Sequence, residues 1–378
     1  MKNCSLIVIL LFSLSLNAQN TFNFDGQLSG IVNWSPDNDT QGLLNGRYLP
    51  ELNYNWKIDT IYNWYFEASA NIWGAVYLYK NDSIATKGEV NPYRIWTRFS
   101  SKQYEVRLGL QKIDFGSAMI LRPLQWFNEI DPRDPLAITN GVNAALVRYY
   151  FKNNANIWLW GLFGNEDPRG FDITPSYNKD PEFGGRFQHP IPKGEIAISY
   201  HHRTANATQA LPLENLEQIP EDRIGIDGKW DLGIGLWFEG AYIKKHKDVS
   251  VFTNQTLATL GTDYTFPLGS GLYVVLEHLL IGYDSENIGF ENRYNTSAIN
   301  ISYPIGFFDS LSLFSTYSWE NNATSLFLNY QHDFKLITAY IMGYYTPDTS
   351  INTINSDTND FVSNFTGPGV RVMFVYKH

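Results

Sequence analysis

The chain has a single cysteine in 378 residues, and Cys4 lies near its start. The remainder forms no internal disulfide and offers no thiolate to a metal. Beyond the first segment no stretch supplies the ~20 apolar residues of a membrane-spanning helix. Basic residues are the minority, 28 Lys and Arg against 38 Asp and Glu, for a net charge of -10. That balance argues against nucleic acid as a partner. No Pro/Gly-rich linker or low-complexity run divides the chain. Gly164 to Gly170 lacks phosphate-binding spacing, and Asp37-Asn38-Asp39 lacks the remaining ligands of a calcium loop. His201 and His202 would point to opposite faces of a strand, so they cannot share one ion. No metal or cofactor is expected.

What is present begins with a leader. Lys2 precedes an apolar core from Leu6 to Leu16, followed by Asn17-Ala18-Gln19. This is the layout of a secretory signal, with cleavage expected after Ala18 and residues 19–378 left as the mature chain. Cys4 precedes the apolar core, whereas a lipoprotein cysteine would follow it. Loss of Lys2 takes the net charge from -10 to about -11.

The first mature segment alternates. Phe22, Phe24, Gly26, Leu28, Gly30, Val32 and Trp34 share one parity; Asn23, Asp25, Gln27, Ser29 and Asn33 share the other, with Ile31 the exception. Successive strand side chains point to opposite faces, so the segment has one apolar and one polar face. Similar segments recur along the chain. Aromatics make up 16% of it, as 24 Tyr, 24 Phe and 11 Trp. The mean hydropathy is nevertheless -0.26, as expected when half of every strand faces water. The pattern predicts an all-β, transmembrane antiparallel β-barrel in a bacterial outer membrane, with aromatic belts at both interfaces. Outer-membrane lipid and lipopolysaccharide would surround it. The strand from Val370 to Tyr376 resembles the signal read by the barrel-assembly machinery, although Lys377 and His378 follow its last aromatic.

About eighteen strands are read, starting near residues 22, 46, 62, 92, 103, 142, 155, 182, 194, 222, 234, 256, 271, 295, 309, 323, 335 and 367. Sixteen is the alternative, should the Glu182 to Arg203 hairpin be misread. Short periplasmic turns should alternate with longer external loops. The long candidates include Ser35 to Asn45, Asn81 to Val90, Ile113 to Thr139, Asn165 to Pro181, Thr204 to Glu221 and Thr346 to Asn364. The short ones include Asp59-Thr60, Ser100-Ser101 and Leu232-Gly233. Glu320-Asn321-Asn322 is short where a long loop is expected.

Parity assigns the pore lining to Arg94, Arg98, Glu105, Arg107, Arg148 and Arg186, together with Glu67, Gln111, Asp227, Lys229, Glu239, Asp263, Glu277 and Arg371. On the lipid face an Arg or Lys near the midplane would cost roughly 2–4 kcal/mol. The third external loop is too apolar for open water: Leu121, Leu124, Trp126, Phe127 and Ile130 would be costly to expose together. An inward fold would bury them and narrow the lumen. Arg122, Glu129, Asp131, Arg133 and Asp134 are its constriction candidates. The arginines and the loop carboxylates could form opposed walls that orient solutes, or simply pair and hold the loop in place.

The run Gly109-Leu110-Gln111-Lys112-Ile113-Asp114-Phe115-Gly116, followed by Asp131-Pro132-Arg133-Asp134, resembles a motif of porin-like outer-membrane barrels, a group that includes alginate-export-like barrels. Phe115 stands where that pattern has Trp, and Asp131 where it has Asn. The ending Asn17-Ala18-Gln19 resembles leaders of Bacteroidota. The resemblance implies a channel and leaves the solute open; the charged lining makes small hydrophilic solutes, anionic ones among them, the expectation. The alternatives are a surface-binding or structural barrel with a closed lumen, and a hydrolase, which would need Ser and His at hydrogen-bond distance on one rim. No enzyme activity is expected.

Overall fold

A computed structural model describes residues 20–208, 216–347 and 367–378. The leader, its cleavage point and most of the expected loop from Thr346 to Asn364 lie outside the described residues. Eighteen strands follow one another: β1 (Asn20–Trp34), β2 (Thr40–Lys57), β3 (Asn63–Tyr79), β4 (Ile84–Ser100), β5 (Tyr104–Gln111), β6 (Val142–Tyr150), β7 (Asn156–Leu162), β8 (Glu182–Ile191), β9 (Gly194–Ala205), β10 (Ile219–Asp231), β11 (Gly235–Lys245), β12 (Asn254–Phe266), β13 (Leu272–Asp284), β14 (Asn292–Ile305), β15 (Asp309–Ser318), β16 (Ala323–Asp333), β17 (Ile337–Thr346) and β18 (Gly367–Lys377). Each pairs antiparallel with the next, and β18 returns to β1 with Gln27 opposite Lys377 and Trp34 opposite Val370. The sheet closes on itself, so the groups within the closed ladder find partners, as a bilayer demands; residues 84–92 of β4 extend beyond it, paired with β3 alone.

The seam runs to the last residue. Gly26 and His378 exchange both backbone hydrogen bonds at 3.0 Å. The His378 ring stacks among Phe24, Tyr48 and Tyr376.

Outward residues are apolar and exposed, among them Leu28, Val32, Leu44, Leu260 and Ile341. Trp34, Trp56, Trp64, Phe163 and Trp319 are also exposed, near strand ends, where aromatic belts sit. Ile31, the exception to the first alternation, points inward and is buried.

All eighteen strands lie where the alternation places them. The hairpin in doubt is real: β8 and β9 pair from Phe183–His202 to Ile191–Gly194. Gly184, Gly185, His189 and Pro190 dilute its pattern. Two expected loops are shorter than read. Thr40 to Asn45 continues β2, and Ile84 to Val90 continues β4, each paired with β3. Residues 84–92 are exposed throughout. Where both faces are wet the apolar alternation vanishes, and a strand then looks like a loop.

Candidate functional site

The lumen is the candidate site, and the third external loop (residues 112–141) shapes it. Ile113, Leu124, Trp126 and Phe127 are at most 2% exposed. Phe115 stacks on Trp160 at 5.5 Å and meets Trp126 edge-on at 5.7 Å; Phe127 meets His201 edge-on at 4.9 Å. Burying each such side chain contributes roughly 1.5–3 kcal/mol, which is why the loop lies inside. Its path is cleared by glycine. Gly225 on β10 leaves room for Leu124 and Trp126, and a Cβ there would come within 2.3 Å of the Leu124 side chain. Gly116 has a φ of +109°, and a Cβ there would lie 2.4 Å from a Glu239 carboxylate oxygen.

Wall carboxylates fasten the loop. Glu277 on β13 accepts the backbone N–H of Met119, Ile120 and Leu121 at 2.7, 3.0 and 2.5 Å, and the Trp237 indole N–H at 2.8 Å. Glu239 on β11 accepts Ala118 N–H at 2.8 Å and Leu124 N–H at 2.6 Å. Thr259 donates to Leu121 O at 2.7 Å, and Ser117 to Asp227 at 2.9 Å. Buried amides with no helix or sheet partner are thereby satisfied by charged acceptors.

The fourth external loop (163–181) folds against the same side. Asp172 bridges Arg203 at 2.8 Å and Arg223 at 2.7 Å. Both arginines also bind Glu221, which faces Lys245 at 3.5 Å. Arg169 reaches Glu182 at 2.6 Å. His201 Nδ1 lies 3.2 Å from the Trp160 indole nitrogen, which only donates, so Nε2 carries the proton toward Glu182 at 3.1 Å. The adjacent His201 and His202 indeed split: His201 is buried inside, while His202 bonds Asp222.

The expected pore-lining arginines fall into two groups. Arg98, Arg107 and Arg148 gather around Glu105 at 3.8, 2.8 and 3.4 Å, with side chains 29, 18 and 13% exposed. The Arg107 Nε contact with Glu105 is an ion pair without a hydrogen bond. Three guanidiniums share one carboxylate, leaving a local surplus of positive charge. Arg148 also stacks on Trp158 at 3.7 Å, and Arg107 on Trp96 at 5.2 Å. Arg94 and Arg186 are committed instead: Arg94 donates to Thr139 O at 2.8 Å, and Arg186 grips Asp227 with two bonds of 2.6 and 2.9 Å.

The constriction candidates pair locally. Arg122 binds Asp114 at 2.5 Å. Arg133 binds Asp131 at 2.8 Å. Asp134 accepts Leu136 N–H and Ile138 N–H at 2.9 and 3.1 Å. Arg47 and Arg371 are close enough to act electrostatically on Asp134. Glu129 is partly buried next to this segment.

No family model matches the chain, and no curated protein does. Solved structures do. OccAB1 of Acinetobacter baumannii aligns at 8% identity and TM-score 0.58, over 96% of this chain and 97% of that one. OccK5 (OpdH) of Pseudomonas aeruginosa aligns at 9% and 0.54, over 94% and 97%. OmpT, an outer membrane protein of Vibrio cholerae solved in a trimer form, aligns at 9% and 0.51, over 95% and 99%. The fold is that of a porin-like outer-membrane barrel.

Within this porin-like barrel, parity found the carboxylates that hold the third loop but missed the ionic cluster under the fourth. The signal was available. Glu221 and Arg223 share the parity of Asp227, and Arg203 that of His201. One Ser–His contact of the kind a hydrolase needs does occur: His278 Nδ1 lies 2.9 Å from Ser297 Oγ, on the outward face. Among the described residues His278 Nε2 has no hydrogen-bond partner, so no third group orients the ring.

Proposed function

We propose that the protein is a passive outer-membrane channel for small hydrophilic solutes, with the third loop as its filter and a preference for anions. One observation carries this reading. The loop is fastened to the β10–β13 wall, while Arg98, Arg107 and Arg148 on β4–β6 keep partly exposed heads and surplus positive charge. Partly hydrated charges lining a lumen set the sign of what passes. Residues 1–18 would be the cleaved leader and 19–378 the barrel. The assembly machinery would insert it among outer-membrane lipid and lipopolysaccharide. No enzymatic role is proposed, because the His278–Ser297 pair lacks an orienting group and faces lipid.

The test is planar-bilayer conductance of the purified, refolded protein under a salt gradient. Stable openings with anion preference support the reading. Openings without preference keep the channel and make the arginines structural. The apolar interior cluster, which runs from the loop to Phe314, Phe327, Tyr340 and Met373, favours a second reading of a closed binding or structural barrel. Silence in folded protein would select it.

A further inference from the structure

A cavity of about 400 Å³ lies inside the barrel, between β1, β2, β3, β4 and β18 and the end of the third loop. That is toward the lower end of the roughly 300–1,000 Å³ of small-molecule pockets. Its apolar lining is Leu49, Leu136 and Ile138. Its charged lining is Asp25 and Glu51, with Lys377 across the seam. Asp25 and Glu51 are directly opposite each other in the β1–β2 register. Like charges placed so are destabilising, and a cation between them would relieve the repulsion. Among the described residues Asp25 has no hydrogen bond or ion pair. Glu51 Oε1 accepts one bond from Asn53 at 2.7 Å. Lys377 likewise has no ion pair among the described residues.

A second observation is independent of the acids. Ser69 also lines the cavity; it is 8% exposed, and its Oγ has no hydrogen-bond partner. A buried hydroxyl without a partner costs free energy that a bound polar group would recover.

We infer that this cavity binds a small zwitterion of the amino-acid class, its ammonium held by Asp25 and Glu51, its carboxylate turned to Lys377, and its apolar body against Leu49, Leu136 and Ile138. An ammonium has three donors, enough for two carboxylates and the Ser69 oxygen. In a conducting barrel this would be a stopping point for such solutes, so the transit role rests on the channel reading. The site itself does not.

Binding is therefore measured without current, by titration calorimetry on the full refolded barrel in detergent. The probes are L-leucine, L-leucinamide and 4-methylpentanoate, which share a body and differ in charged ends. Leucine and leucinamide should bind, and 4-methylpentanoate should bind at least about tenfold more weakly, the ratio that 1.4 kcal/mol confers. The isosteric pair Asp25→Asn with Glu51→Gln should weaken leucine by about tenfold or more. Ser69→Ala should weaken it several-fold yet leave the empty barrel as stable or more so, because it deletes an unsatisfied group. Equal binding of 4-methylpentanoate, unchanged affinity in the double variant, or no leucine binding to folded protein would each overturn the site. A barrel that binds leucine but carries no current would sink the channel reading and leave the site standing.

Discussion

The wall from β8 to β13 and the wall from β1 to β6 are built on the same alternation, yet their inward charges do different work. On the first, Asp227, Glu239 and Glu277 are at most 3% exposed and spend their oxygens on the third loop or, for Asp227, also on Arg186. On the second, Arg98 and Arg107 keep partly exposed heads, and Asp25 is exposed to the lumen. What separates these charges is whether the 117–124 stretch of the third loop lies over them; on the second wall the end of the loop meets Arg94 instead. A buried carboxylate must find donors, and a loop without secondary structure has spare N–H groups, so each satisfies the other. Where no loop arrives, water is the partner and the charge is free to meet a solute.

The largest effect should come from unfastening the first wall. Glu277→Ala removes the acceptor of three loop amides and one indole, each worth about 1–3 kcal/mol when left unpaired in a buried site. The loop should leave the wall, raising single-channel conductance several-fold and opening residues 113–130 to protease. Glu105→Ala, on the second wall, should leave the loop protected. If both variants gave the same proteolysis pattern, the contrast between the walls would be wrong. Next in size, Leu124→Ala should cost about 2–5 kcal/mol in denaturant unfolding, as a buried large-to-small change does. Leu260→Ala, at a position 67% exposed on the lipid face, should cost clearly less.

This division also explains what could be read in the chain. Strand number and topology were legible because one face of each strand meets lipid and the other does not, which writes parity into the residues. The inward path of the third loop was legible from Trp126 and Phe127, since an exposed cluster of that size is unfavourable. Which groups would hold it was not. Glu239 and Glu277 lie more than 100 positions from the amides they accept, and only barrel closure brings them together. The upper end of β4 was read as a loop for a related reason: Thr86, Lys87 and Glu89 are exposed on both faces, so parity has nothing to record.

A third, smaller effect tests the second wall. Arg107→Ala or Arg148→Ala removes one charge from a wet lining. At ~4 Å in a water-like medium a unit charge is worth about 1 kcal/mol to an anion. The anion-to-cation permeability ratio should fall by at most about fivefold, and by less as salt is raised. Glu105→Gln should shift the reversal potential the other way. Reversal potentials that do not move in any of the three variants would make the cluster a structural device like that of the first wall.

The smallest effect sits where the loop passes from one wall to the other. Burial pushes the Asp134 carboxyl pKa up, against the N–H bonds from Leu136 and Ile138 and the charge of Arg47, which pull it down. A carboxyl whose pKa is higher folded than unfolded binds its proton more tightly in the folded state. Its contribution therefore favours the docked loop end while the carboxyl is protonated, and is lost as pH rises through the raised value, above the ordinary carboxylate range near ~4. Asp134→Asn cannot titrate. It should flatten the fall in thermal midpoint between about pH 4 and pH 8 while keeping one acceptor for the loop amides. If the variant kept the wild-type slope, the titrating group would lie elsewhere, and the loop end would be as firmly held on this side as Glu277 holds it on the other.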